Sequence, residues 1–163
     1  MADLEATVRA LEQRIEALED QLALLHLVST YGPAVDSGTA EVVAGLWTEE
    51  GVYDVDIPGP LRGRGEIAGM VRGEGHQGLI HNGAAHVLSM PHVVVDGDRA
   101  VVTGYSRVYA HRDDGFGVWR VSANRWECVR TDEGWRVELR INRPLDGAEE
   151  SREILRRGVA PAG

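Results

Sequence analysis

The sequence predicts an α+β fold: a cone-shaped, curved antiparallel sheet whose concave face is covered by N-terminal helices. Three observations carry that reading. Helical periodicity dominates the first part of the chain, strand-like runs rich in Val, Trp, Tyr and Thr follow residue 84, and Asp- and Gly-rich turns separate those runs. At 163 residues the chain holds one ordinary domain, placed at residues 1–145, with a C-terminal tail at 146–163.

Leu4, Val8, Leu11, Ile15, Leu18, Leu22 and Leu25 alternate steps of four and three, a heptad seam on a helix spanning about residues 3–36. At about 1.5 Å per residue, the stretch 3–31 alone reaches about 40 Å, more than a compact domain of this size needs. Its first half therefore either projects toward another subunit or lies along its own sheet. Gly32-Pro33 is expected to kink or end the regular helix, with a last turn continuing to Asp36. Thr39 caps a second short helix carrying Val42, Val43, Leu46 and Trp47. A strand at 52–56 follows, Pro58-Gly59-Pro60 breaks the chain, and 65–72 reads as a weak, glycine-rich helix. Four glycines and two histidines make 73–83 a mobile loop beside any pocket.

Strands at 86–95, 100–111, 118–130 and 135–143 form an antiparallel meander through the turns Asp96-Gly97-Asp98, Asp113-Asp114-Gly115 and Thr131-Asp132-Glu133-Gly134. Pro91 donates no ladder hydrogen bond, so the first of these strands must bend there and curl the sheet. The tail reads as a solvated helix that frays.

Composition excludes several functions. The 26 acidic residues outnumber the 17 basic ones, giving a net charge of −9 that repels nucleic-acid phosphates and anionic lipid. All basic residues are Arg, so no lysine Schiff base forms. The single Cys128 has no internal disulfide partner and reads as a small buried hydrophobe. No stretch has the signal-peptide pattern or the apolar length of a membrane span, so a soluble, cytoplasmic protein is expected.

Alternation in the last strand puts Trp135, Val137, Leu139, Ile141 and Arg143 on one face, and Arg136, Glu138, Arg140 and Asn142 on the other. Arg143 then either reaches a ligand oxygen or pairs with an acid such as Asp36 or Glu50. Asp36, ending the apolar stripe of the first helix, either caps a turn or accepts an imidazole N–H. His86, inside Ala84-Ala85-His86-Val87-Leu88, is either a core histidine or, beside a carboxylate, a base working near neutral pH. His76, His81, His86 and His92 lack metal-ligand spacing, and no metal is expected. Gly63-Arg64-Gly65-Glu66-Ile67-Ala68-Gly69 lacks both the spacing and the βαβ setting of a dinucleotide fingerprint.

Tyr31-Gly32-Pro33-Ala34-Val35-Asp36, Leu46-Trp47-Thr48-Glu49-Glu50-Gly51-Val52-Tyr53, His86 followed by Pro91 to Asp98, and Arg130-Thr131-Asp132-Glu133-Gly134-Trp135-Arg136 come in an order that resembles the SnoaL-like branch of the nuclear-transport-factor-2-like superfamily. The sequence is most similar to the group of scytalone dehydratase, bile-acid 7α-dehydratase and hexachlorocyclohexane dehydrochlorinase. That resemblance implies an Asp–His dyad without metal or organic cofactor, and a homo-oligomer, trimer or dimer. The family's Asp falls on Asp36, its His on His86 and its helix-one tyrosine on Tyr31. A second pocket tyrosine falls on Tyr53, and a C-terminal-strand arginine falls near Arg143, one residue either way. The dehydrochlorinase lysine has no counterpart here.

The implied reaction is elimination from a cyclic hydrophobic substrate such as a polyketide or steroid ring. His86, oriented by Asp36, removes a proton beside a carbonyl or leaving group, and Tyr31, Tyr53 or Arg143 bonds the oxygen that gains charge. Trp47, Met90, Trp119 and Trp126 are candidates for an apolar wall. An isomerase or cyclase uses the same dyad, and a non-enzymatic binding or assembly domain needs no contact between Asp36 and His86.

Overall fold

The computed structural model describes residues 2–57 and 59–159. Its first element, α1 (Ala2–Asp36), is a single helix of 35 residues, about 50 Å long. Residues 4–19 are all exposed, including Leu4, Val8, Leu11, Ile15 and Leu18 of the seam. Packing begins at Asp20. Its carboxylate accepts two hydrogen bonds from Arg130, both 2.7 Å, and one from the Trp135 indole at 3.0 Å. The Arg130 guanidinium holds the Asp20 carboxyl below its ordinary value. Beyond this clasp Leu24, Leu27, Val28, Tyr31, Ala34 and Val35 are buried. The first half of α1 thus projects rather than lying along its own sheet.

Pro33 lies inside α1 and does not end it. The buried Tyr31, Ala34 and Val35 on either side hold the helical path, and closure comes where the sequence supplies a left-handed residue. Gly38 has φ +71°, and Ser37, Gly38 and Thr39 donate back to Pro33, Val35 and Ala34 at 3.0, 3.2 and 3.0 Å.

The remaining elements are α2 (Ala40–Gly45), β1 (Trp47–Val55), β2 (Pro60–Arg62), α3 (Gly63–Arg72), α4 (Glu74–His81), β3 (Ala84–Leu88), β4 (His92–Asp96), β5 (Arg99–Arg112), β6 (Gly115–Thr131), β7 (Gly134–Pro144) and α5 (Glu149–Val159). Among the described residues the sheet has seven strands in the order β2-β1-β7-β6-β5-β3, with β4 beside β3 along β5. Consecutive long strands pair antiparallel as expected, but β1 pairs β7 in parallel, so the sheet is mixed. The sheet is curled and unclosed. α1, α2 and α3 cover its concave face through a core that includes Val43, Trp47, Ile67, Val71, Val102, Trp126 and Val137.

Several expectations change. Trp47 opens a strand instead of closing α2, because its indole fills the core while Gly51 folds against it; an added Cβ at Gly51 meets the ring at 2.8 Å. The glycine-rich 73–83 is mostly a helix, α4, rather than a loop. Its side chains lend partners to neighbouring carbonyls, His76 to Val35 at 2.8 Å and Gln77 to Val71 at 2.7 Å, and tertiary bonding outweighs poor propensity. Pro91 does more than bend one strand: it separates β3 from β4, and Ser89 bridges the gap by bonding Tyr105 through its backbone N–H at 2.9 Å and its hydroxyl at 3.0 Å. The tail helix α5 is docked, with Ser151, Ile154 and Gly158 buried, rather than solvated. The Pro-Ala-Gly terminus, like Pro58, lies outside the described residues. No described helix is long and apolar enough to cross a membrane.

Gly32 fixes how closely α1 approaches β3. A Cβ there would lie 2.3 Å from the His86 carbonyl oxygen, so backbone must move. Gly32→Ala is expected to destabilise the fold by about 1–3 kcal/mol, with a lower midpoint in denaturant at unchanged slope.

Candidate active site

α1 ends at Asp36 and β3 has His86 at its centre, and the close α1–β3 packing brings the two side chains together. The His86 backbone N–H donates to Asp36 Oδ2 at 2.7 Å, and His86 Nδ1 lies 2.5 Å from Asp36 Oδ1. One carboxylate therefore holds both the strand and its ring. An ionised carboxylate only accepts, so Nδ1 carries a proton, and in the neutral ring Nε2 keeps its lone pair. Both side chains are mostly buried, at 22% and 15% exposure.

His86 contributes to a chamber of about 70 Å³, also lined by Tyr31, Tyr53, Leu88, Ser106, Val108, Trp119, Arg120, Arg140 and Asn142. Arg140 is 1% exposed and lies across the rings of Trp126, Tyr31 and Tyr53, its guanidinium carbon 4.0, 4.1 and 4.5 Å from their centres. Its Nε and Nη2 donate to Asn124 Oδ1 at 3.1 and 2.8 Å, while the buried Nη1 has no partner. Burial raises the Tyr31 phenol well above its ordinary pKa, with Tyr53 adding and Arg140 opposing, so Tyr31 is a neutral O–H donor.

Two bulges build this wall, and one of them moves the expected arginine. On β7, Val137 pairs Cys128 and Leu139 pairs Glu127, so Glu138 is an extra residue and the alternation inverts beyond it. Arg140 and Asn142 turn into the chamber. Arg143 turns to the opposite face, where it pairs with Asp54 at 2.9 Å and with Glu150 of α5 at 2.7 Å. Arg143 thus does not line the His86 chamber, nor does it pair with Asp36 or Glu50. On β6, Val108 pairs Arg120 and Tyr109 pairs Val118, leaving Trp119 bulged; both Trp119 and Arg120 line the chamber.

Of the other expected residues, Tyr31 and Tyr53 line the chamber with His86. Trp47 and Trp126 are buried in the core behind Tyr31, ring centres 6.1 and 5.7 Å from its own. Met90 is 89% exposed and lines a separate, larger groove of about 500 Å³ between α1 and the β3–β4 segment. His86 lines that groove too, which is mostly apolar; the chamber, where His86 stands with a buried cation, is where the polar chemistry lies. Trp119 alone of the four supplies an indole to the chamber. The residues missed were Arg140, Arg120 and the bonded set Ser106, Asn124 and Asn142.

His76, His81 and His86 do not converge with His92, and among the described residues no three His, Cys, Asp or Glu side chains group as metal ligands. Burial pushes the Cys128 thiol up to about 12, with the Glu127 charge adding, in keeping with a core position.

Comparisons with known proteins place the fold. The family model of the SnoaL-like domain matches residues 16–141. A nuclear-transport-factor-2-like protein with a cystatin-like fold from Novosphingobium aromaticivorans is 41% identical, with 89% of this chain and 94% of that chain covered and a TM-score of 0.87. A protein from the same organism, provisionally assigned as an aromatic ring hydroxylase, is 25% identical over 78% of this chain and 90% of that one, with a TM-score of 0.65. Rv3472 of Mycobacterium tuberculosis, of unknown function, shares the fold at 21% identity and a TM-score of 0.70, with 90% and 92% covered. No curated protein matches significantly. With most of its length matched, the chain belongs to the SnoaL-like domain family, within the nuclear-transport-factor-2-like superfamily.

Proposed function

We propose that the protein is a lyase that eliminates water from a small cyclic carbonyl compound, with His86 as base and Asp36 as its positioning residue. SnoaL-like domains include dehydratases, isomerases and cyclases, and bind small hydrophobic ligands. The observation that carries the reading is the doubly bonded Asp36–His86 pair, whose histidine lines a chamber that also holds a buried guanidinium.

Nε2 takes the proton from the carbon beside the carbonyl, and the C–H electron pair moves toward the carbonyl oxygen. Arg140 Nη1 and the Tyr31 hydroxyl hydrogen-bond that oxygen as charge develops; a fixed cation in a dry site is worth most there. The enolate then re-forms its carbonyl, the carbon–carbon double bond closes, and the β-hydroxide leaves with the proton that His86 carried. Tyr31 donates a hydrogen bond rather than its proton, because burial makes the phenolate costly. No acid among the chamber residues flanks Arg140, which argues against the two-carboxylate arrangement of an epoxide hydrolase.

The test is incubation with a panel of small cyclic β-hydroxy ketones, followed by conjugated-enone absorbance and product mass. Loss of one water that depends on His86 is expected. Double-bond migration without water loss instead favours an isomerase, and no His86-dependent turnover or α-proton exchange contradicts the dyad reading.

The exposed seam supports a homo-oligomer in which α1 packs against other copies. Deleting residues 1–18 is expected to lower the mass in solution toward that of one chain, read by light scattering. An unchanged mass rules out that role.

A further inference from the structure

We infer that the substrate of this site carries a carboxylate, held by Arg120 at the chamber wall; the inference rests on the reading of the chamber as the reaction site. The argument is one of charge. Among the described residues ten of the 17 arginines pair with Asp or Glu. Of the seven that do not, Arg9, Arg14, Arg62, Arg107 and Arg112 are exposed to solvent. The two that are not are Arg120 and Arg140, and both line the chamber. In a chain of net charge −9, this small space gathers two cations and no lining acid, while the nearby Asp36 is engaged by His86. Arg140 is buried and Arg120 half-buried; a cation withdrawn from water without an anion is costly, and the missing anion is supplied by a ligand.

The two guanidiniums are suited to different oxygens. Arg140, stacked between aromatic rings with only Nη1 free, takes the carbonyl oxygen. Arg120 is aimed by neutral groups, Nε to Ser122 Oγ at 2.9 Å and Nη2 to Asn142 Oδ1 at 3.0 Å, so its direction is set while its charge stays uncompensated. Asn142 in turn donates to Asn124 Oδ1 at 2.8 Å, the atom that also anchors Arg140, so the cations sit on one rigid polar frame. Trp119, bulged beside Arg120 and 57% exposed, offers an indole face to a substrate ring at the mouth.

Benzoate and its neutral isostere benzamide are the probes, with Trp fluorescence and calorimetry as readouts on the full chain. Benzoate is expected to bind about tenfold or more tightly than benzamide, and the preference to weaken with salt. Arg120→Gln is expected to abolish the preference while leaving benzamide affinity unchanged, and Arg120→Lys to restore part of it. Equal binding of the two probes, no binding of either, or a preference that survives Arg120→Gln overturns the proposal. His86→Ala separates the readings: it is expected to keep the benzoate preference, so a benzoate site without His86-dependent turnover leaves the ligand class standing and removes the proton-transfer reading.

Discussion

His86→Ala lowers kcat/KM by about 10²–10⁴-fold on any ketone the wild type dehydrates, the range a positioned general base supplies. Asp36→Asn produces a loss of comparable size by a different route. The amide keeps the shape of the carboxylate but presents an N–H₂ as well as an oxygen, so it no longer dictates which imidazole nitrogen carries the proton. Its second consequence is structural: Asp36 Oδ2 also accepts the His86 backbone N–H at 2.7 Å, and Asn holds that bond only when its oxygen faces the strand. Retained circular dichroism and retained benzoate binding in both variants, with turnover lost, fit the chemical role. Unfolding in both variants marks the pair as a structural clasp.

Arg140→Met separates activity from stability. The guanidinium costs several kcal/mol to bury, and three cation–π contacts of about 0.5–2 kcal/mol each plus two charge-assisted bonds to Asn124 offset that cost. Methionine has similar length and no charge to desolvate, and Asn124 Oδ1 keeps its bond from Asn142, so no acceptor is orphaned. The melting temperature is expected to move by no more than about 5 °C while kcat falls about 10²–10³-fold, the loss typical of removing an oxyanion donor. A drop of about 10 °C or more with unchanged activity in the surviving folded protein assigns Arg140 to the core instead.

The parts of the fold that follow from periodicity were legible. The heptads of α1, the Asp/Gly turns of the meander and the break at Pro91 all express local chemistry that one chain displays in order. What was illegible depended on pairing. The extra residue at Glu138 exists only relative to β6, and without it strict alternation sends Arg143 inward and Arg140 outward. A usable signal lay on β6, where alternation from Cys128 through Trp126 carries Asn124 and Ser122 onto the inner face and so marks a polar wall. α4 was hidden for a related reason, since its glycines argue against a helix and its support comes from carbonyls of Val35 and Val71. Asp36 and His86 are fifty positions apart, and only the close approach at Gly32 makes them one unit.

The most direct measurement needs no substrate: long-range proton–nitrogen NMR of the His86 ring at a pH where the ring is neutral. A neutral ring with its proton on Nδ1 and a bare Nε2, shifting to mixed tautomers in Asp36→Asn, is the predicted spectrum. A ring protonated on Nε2, or one indifferent to the loss of the Asp36 charge, contradicts the account at its base.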